Sequence, residues 1–197
     1  MIKYLLAQLS ILTTIAVVSV PLLASAAPNP SQIEPASQTI ASLNAALQQN
    51  PQDIDAYVER GILHATLDRN LLAIADYTEA IRLDPNRVLA YNNRAVAKLN
   101  LRDYRGAYLD YTQVVRILPD KAITYNNRAT ARQGMGDCKG AIADLKTAAA
   151  LFQLQGDAFN YQRTLANLKV FQKSKRWWVG SRELRVGRGI QEKFRKP

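Results

Sequence analysis

Cysteine and histidine are almost missing from this chain: Cys138 and His64 are the only ones among 197 residues. One thiol cannot close an internal disulfide, so any fold here must stand on packing alone. One cysteine and one histidine also fall short of the nitrogen and sulfur ligands that hold a typical zinc ion. No glycine-rich loop of the kind that cradles phosphate is spelled anywhere, and the nine glycines are scattered. Long apolar runs are equally scarce. The single long one lies at the N-terminus, and the rest of the chain alternates apolar and polar residues.

That N-terminal run has the order of an export signal. Lys3 gives a positive start, Tyr4 to Leu23 is mostly apolar, and Ala24-Ser25-Ala26 supplies small residues before Ala27-Pro28. This predicts a secretory peptide over residues 1–26, cleaved after Ala26. About 20 apolar residues could alternatively stay as a membrane anchor, although Gln8, Ser10, Thr13, Thr14 and Pro21 weaken the run. The expected destination is a periplasm or a thylakoid lumen, with secretion or signal anchoring as the alternatives. The net charge of +10 is concentrated at the other end, where residues 172–197 hold nine Lys or Arg against Glu183 and Glu192. The body between is nearly neutral.

The word Tyr-Asn-Asn-Arg-Ala occurs at 91–95 and again at 125–129. Aligned on Tyr57, Tyr91 and Tyr125, further columns fall into register. Arg60, Arg94 and Arg128 follow three residues on, then a small residue each time (Gly61, Ala95, Ala129). Later come Ala73, Ala107 and Ala141; Asp76, Asp110 and Asp144; Tyr77, Tyr111 and Leu145; Ala80, Val114 and Ala148. Pro85 and Pro119 close the first two units, where the third has Gln153. Small residues at helical spacing let two helices approach closely, large aromatics fill the gaps, and proline stops each unit. Turn signals such as Asp68-Arg69-Asn70, Asn100-Leu101-Arg102-Asp103 and Gly134-Met135-Gly136-Asp137 divide each unit into two helices.

These units resemble tetratricopeptide repeats, whose period and small/aromatic/proline pattern they share. The resemblance implies an all-α, right-handed α-solenoid of three helix hairpins with capping helices at both ends. The expected organisation is a linker and N-terminal cap over 27–53, repeats over 54–87, 88–121 and 122–155, a C-terminal cap over 156–172 and a basic tail over 173–197. The N-terminal cap is expected from Thr39 to Gln49, with Leu43, Ala46 and Leu47 inward. The last cap is expected to carry Phe159, Leu165, Leu168 and Phe171 as its apolar stripe. Two departures stand out. The family's usual aromatic seven residues after the first tyrosine is replaced by His64, Lys98 and Arg132, and the third repeat lacks its proline, so its second helix should run on to Gln155.

Each arginine recurs with an aspartate on the opposite helix of its hairpin, which predicts the ion pairs Arg60–Asp76, Arg94–Asp110 and Arg128–Asp144; an anion site built of three arginines is the rival reading. The resemblance places a concave binding groove at Asp55, Val58, Glu59 and Ile62, then Leu89, Asn92, Asn93 and Val96, then Ile123, Asn126, Asn127 and Thr130. An asparagine amide offers donor and acceptor together, so it can pair with the backbone of an extended peptide. A solvated face copied by repeat duplication would look the same. The lysines and arginine of a carboxylate clamp are missing: Val58, Ile62, Asn93, Ile123 and Asn127 occupy those columns, and Asn93 alone matches.

Function then divides between two classes. One is a non-enzymatic adaptor holding a polypeptide segment of a protein partner in the groove. The other is a membrane-surface protein, brought to anionic lipid by Lys175, Arg176, Trp177 and Trp178, with the repeats as spacer or self-association module. The tail also reads as a solvated extension. Export makes nucleic acid an unexpected partner. No cofactor, metal or catalytic residue is expected. His64 sits in a packing column, Asp53 and Asp55 suit a helix start, and Cys138 takes the column of Tyr104 as a small residue or, failing that, as a reactive thiol.

Overall fold

The computed structural model describes residues 30–171, and all regular structure among them is helical. Helix α1 spans Pro30–Gln49, α2 Ile54–Thr66, α3 Asn70–Leu83, α4 Val88–Asn100, α5 Tyr104–Ile117, α6 Ala122–Gly134 and α7 Cys138–Leu154. A last helix, α8, covers 158–171. The pairs α2/α3, α4/α5 and α6/α7 are antiparallel hairpins stacked in chain order, capped by α1 and α8 in an α-solenoid. Residues 1–29 and 172–197, which hold the expected export signal and basic tail, lie outside the described residues. No described helix is long and apolar enough to cross a membrane.

The helices start and stop for local reasons. Asp53, Asp103 and Asp137 each accept a hydrogen bond from the backbone N–H three residues on, satisfying a donor that the first helical turn leaves free. The turn inside each hairpin needs a left-handed residue in one column: Asp68, Arg102 and Gly136 have φ of 57°, 60° and 79°. Glycine suits that conformation best, and the third repeat alone supplies it. With Pro85 and Pro119 after them, α3 and α5 are 14 residues long; without a proline, α7 continues to 17.

The core is a chain of small clusters. Tyr77 packs among Val58, Ala73 and Ala80 of its own repeat and Ala90 and Ala97 of the next. Tyr111 sits among Ala95, Ala107 and Ala131, the last again from the following repeat. Leu145 closes the third unit with Ala129, Ala141 and Leu168 of α8. Each cluster therefore bridges neighbours, so the array holds together through nearest-neighbour contacts.

Three sequence expectations need correction. Helix α1 begins at Pro30, well before Thr39, and buries Ile40 and Leu47, while Leu43 is half-buried and Ala46 exposed. In α8, Phe159 is 74 % exposed. Tyr161, Thr164, Leu168 and Phe171 face inward because they share one helical phase, from which Phe159 is displaced by two residues. Val58, expected in the groove, is buried in the first cluster, because the position after the tyrosine turns toward the next repeat.

Candidate functional site

Within each first helix, the tyrosine and the arginine three residues later stand one turn apart on the same side. The guanidinium carbon lies 5.5 Å from the ring centroid for Arg60 over Tyr57, 5.6 Å for Arg94 over Tyr91 and 5.3 Å for Arg128 over Tyr125. The same guanidinium reaches across the hairpin to the aspartate: Arg60 Nη2 to Asp76 at 2.5 Å, Arg94 Nη2 to Asp110 at 2.7 Å and Arg128 Nη2 to Asp144 at 2.6 Å. In all three, Nε donates to the carboxylate as well, giving a forked pair. The predicted ion pairs form, and these arginines are committed to carboxylates. Hydrogen bonding to the aspartate raises the pKa of Arg60 and of Arg128, which keeps both charged in the fold.

The column that departs from the family pattern supplies a second cation to the same carboxylate. Lys98 Nζ lies 2.8 Å from Asp110, and Arg132 Nη1 lies 3.4 Å from Asp144. Arg132 also donates to the Gly140 carbonyl at 2.9 Å and covers the Tyr108 ring at 5.2 Å; its hydrogen bond to that phenol lowers the Tyr108 pKa. The sequence signal for this pairing was present as three basic residues spaced one repeat apart, though their common partner shows only in three dimensions.

In the first repeat the second cation is replaced by His64, with Nε2 3.9 Å from Asp76. Burial lowers its pKa; the charge of Asp76 opposes this, while Arg60 and Arg69 reinforce it. A histidine held neutral in the fold contributes stability above the unfolded pKa of about 6.5. That contribution disappears as the pH falls from there toward the depressed folded value. Comparing urea midpoints at pH 7.5 and 5.0 should show a larger acid loss for the native chain than for His64→Gln; equal losses would refute the linkage.

With tyrosine, arginine and the small residue turned inward, the second asparagine lies on the remaining face, while the first, in the column of Val58, sits toward the next repeat. Ile62 is 40 % exposed, Leu89 48 % and Val96 43 %, forming an apolar stripe across α2 and α4. Asn92 and Asn93 are half-buried beside it, as is Ile123 on α6, and Glu59 is exposed. Asp55 is exposed too, but its carboxylate pairs with Arg87 at the start of α4. Over the third repeat the face closes. Asn126 is buried, 8 % exposed, because α8 lies over it and Thr164 Oγ1 accepts from its Nδ2 at 3.0 Å. This corrects the expectation that Asn126 lines an open groove. Asn127 and Thr130 remain half-buried, edging a cleft of about 100 Å³ between α6 and α8. Lys175, Arg176, Trp177 and Trp178 fall outside the described residues.

Chemistry of other kinds finds little here. Among the described residues no group of three or more His, Cys, Asp or Glu is placed to hold a metal ion. Cys138 is exposed at the first position of α7. Asp53 caps α2 by accepting from the Ala56 N–H at 2.9 Å.

The family model described as a tetratricopeptide repeat matches residues 54–87. No curated protein sequence matches the chain. Among solved structures, a crystal structure of MamA protein superposes with a TM-score of 0.59 at 20 % identity, over 63 % of this chain and 68 % of that one. The TPR2B domain of yeast Sti1, in a complex with pHsp70, gives 0.57 at 20 % identity, over 61 % and 97 %. The first TPR of Spaghetti (RPAP3), bound to the HSP90 peptide SRMEEVD, gives 0.55 at 21 % identity, over 62 % and 93 %. The family model identifies residues 54–87 as a tetratricopeptide repeat, and the 34-residue units and stacked hairpins give the chain the fold of a tetratricopeptide-repeat solenoid.

Proposed function

We infer that the protein is a non-enzymatic adaptor that holds a polypeptide segment of low charge against its concave face. The observation that carries this reading is the exposed stripe of Ile62, Leu89 and Val96, set beside the half-buried amides of Asn92, Asn93 and Asn127. Apolar residues left in water on a rigid scaffold suit apolar side chains of a ligand. The amides supply donor and acceptor to an extended backbone. Two structural neighbours, the Sti1 and RPAP3 domains, are held with Hsp70 and HSP90 ligands, which supports a peptide as the occupant. An acidic C-terminal peptide is a poor fit to this chain, because Val58, Ile62, Ile123 and Asn127 stand in clamp columns that they do not match, and the lysines and arginine of the clamp are missing. We place the contact surface on Asp55, Glu59, Ile62, Leu89, Asn92, Asn93, Val96, Asn127 and Thr130, with Asn126 behind it.

The reading extends to location: residues 1–26 would export the protein to a periplasm or thylakoid lumen. The test is affinity capture with the mature chain from its native envelope, repeated with Asn93→Ala/Val96→Asp. A partner retained by the native chain should be lost, with affinity reduced at least tenfold, while Leu109→Ser, at an exposed position of α5, retains it. A partner held equally well by both variants would end the groove reading.

A further inference from the structure

The turns inside the three hairpins, at 67–69, 101–103 and 135–137, lie along one edge of the stack, because every repeat sends its first helix the same way. Apolar residues stand in water along that edge. Leu71, 73 % exposed, and Leu72 lie in the first turn of α3, Leu101 follows α4 and Met135 follows α6, all of them exposed. They form a row. Asn100 Nδ2 donates to Asn70 Oδ1 at 3.1 Å, which sets Leu101 near Leu71, and Met135 repeats the place of Leu101 one helix spacing, about 10 Å, further on. Arg102, Arg105 and Lys139 are exposed among them and make no ion pair with any described residue. The acids of this edge are turned onto their own helix starts, Asp103 and Asp137 as caps and Asp68 as acceptor from Asn70 Nδ2 at 2.7 Å.

Both ends of the fold meet the rest of the chain at this edge. Helix α8 runs alongside α6, so that Phe171 shares a cleft with Gln133, two residues before Met135. The basic tail therefore starts here, with Trp177 and Trp178 tethered within about 25 Å of Phe171. Helix α1 is antiparallel to α2, with Asn44 Oδ1 accepting from Arg60 Nη1 at 2.7 Å, and it begins at the same edge. The two segments whose composition suits lipid, the apolar N-terminal run and the Trp-containing basic tail, are thus both joined to the fold at this place.

We propose that the hairpin-turn edge is a docking surface for an anionic lipid bilayer, which it meets with Leu71, Leu72, Leu101 and Met135 set below the headgroups. Apolar side chains between cations match the boundary of acyl chains and anionic headgroups. A row along an outer edge encloses no ligand, whereas a lipid surface can meet all of it at once. The opposite edge also exposes apolar residues, Leu118, Leu154 and Phe159, but its turns carry Asp53, Asp84, Asp120 and Asp157, and neither lipid-suited segment is joined to it. The docking edge is distinct from the groove, whose residues lie a turn or more inside α2 and α4, and it does not depend on what the groove holds.

The test uses the chain without residues 1–26, carrying a polarity-sensitive dye on Cys138, which is exposed on this edge at the first position of α7. Phosphatidylglycerol vesicles should bind it far better than phosphatidylcholine vesicles, and the dye emission should move to the blue as the edge leaves water. Leu71→Ser/Leu101→Ser/Met135→Ser should weaken binding roughly tenfold or more and abolish the emission shift. Its thermal unfolding should be unchanged, because none of the three residues is in the core. Leu154→Ser, on the opposite edge, should bind as the native chain does. Binding that persists in the triple variant, or that leaves the dye in water, would assign lipid contact to the tail alone and overturn the edge. Failure to bind phosphatidylglycerol vesicles overturns it as well, as does an equal loss in Leu154→Ser. Self-association without lipid that the triple change abolishes would give the row to a second copy of the chain, and the lipid reading would fall.

Discussion

Replacing Asp110 with alanine is expected to lower the unfolding free energy by about 3–5 kcal/mol, the usual result of breaking a buried pair from one side. Its side chain is 4 % exposed and stands between Arg94 at 2.7 Å and Lys98 at 2.8 Å, themselves only 14 % and 17 % exposed. Removing the carboxylate leaves two cations facing each other with little water. The loss should spread along the array, because Arg94 Nη1 also donates to Thr78 Oγ1 of the preceding repeat at 3.0 Å. Asp76→Ala should be milder, since it strands Arg60 beside a neutral His64 and leaves one cation rather than two. The triple change Asp110→Leu/Arg94→Leu/Lys98→Met should recover most of the loss, because a well-packed apolar set often equals a buried ionic one. Urea denaturation reads all of these, and a loss below about 1 kcal/mol for Asp110→Ala would show that the carboxylate is not needed to hold the cations.

A comparable loss, about 3–5 kcal/mol, is expected for Tyr111→Ala, which empties the middle of the second cluster. The ring is fully buried among alanines, which are too short to collapse into the space it leaves. Tyr111→Phe should behave in the opposite way. The phenol oxygen is buried without a hydrogen-bond partner among the described residues, and burial raises its pKa, so it stays protonated. Deleting an unsatisfied hydroxyl while keeping the ring should be neutral or stabilising by roughly 1 kcal/mol. A destabilisation of 2 kcal/mol or more in Tyr111→Phe would mean that the hydroxyl has a partner in solution.

These two changes also show how far sequence reading reaches. Tyr111 and its alanines were legible because a period of 34 repeats their chemistry, and because large beside small is what close helices require. The Arg94–Asp110 pair was legible for the same reason, since the two columns recur together. Lys98 was visible merely as a departure from the family pattern. That it shares the carboxylate depends on the hairpin bringing α4 against α5. Phe159 was misplaced in the apolar stripe of α8, because the phase of that helix is set by the surface it covers.

The sequence by itself determined the helical hairpins, their number, the inward-facing columns and the ion pairs, because each depends on contacts that repeat with the chain. What happens at the ends of the array is decided by tertiary structure alone. The same Tyr-Asn-Asn-Arg-Ala word leaves Asn92 half-open in the second repeat and buries Asn126 in the third. The letters are identical, but α8 packs on α6, where Thr164 accepts from the Asn126 amide and seals it from water. Whether a side chain meets water or a neighbouring helix is a property of the whole stack, and no single repeat encodes it.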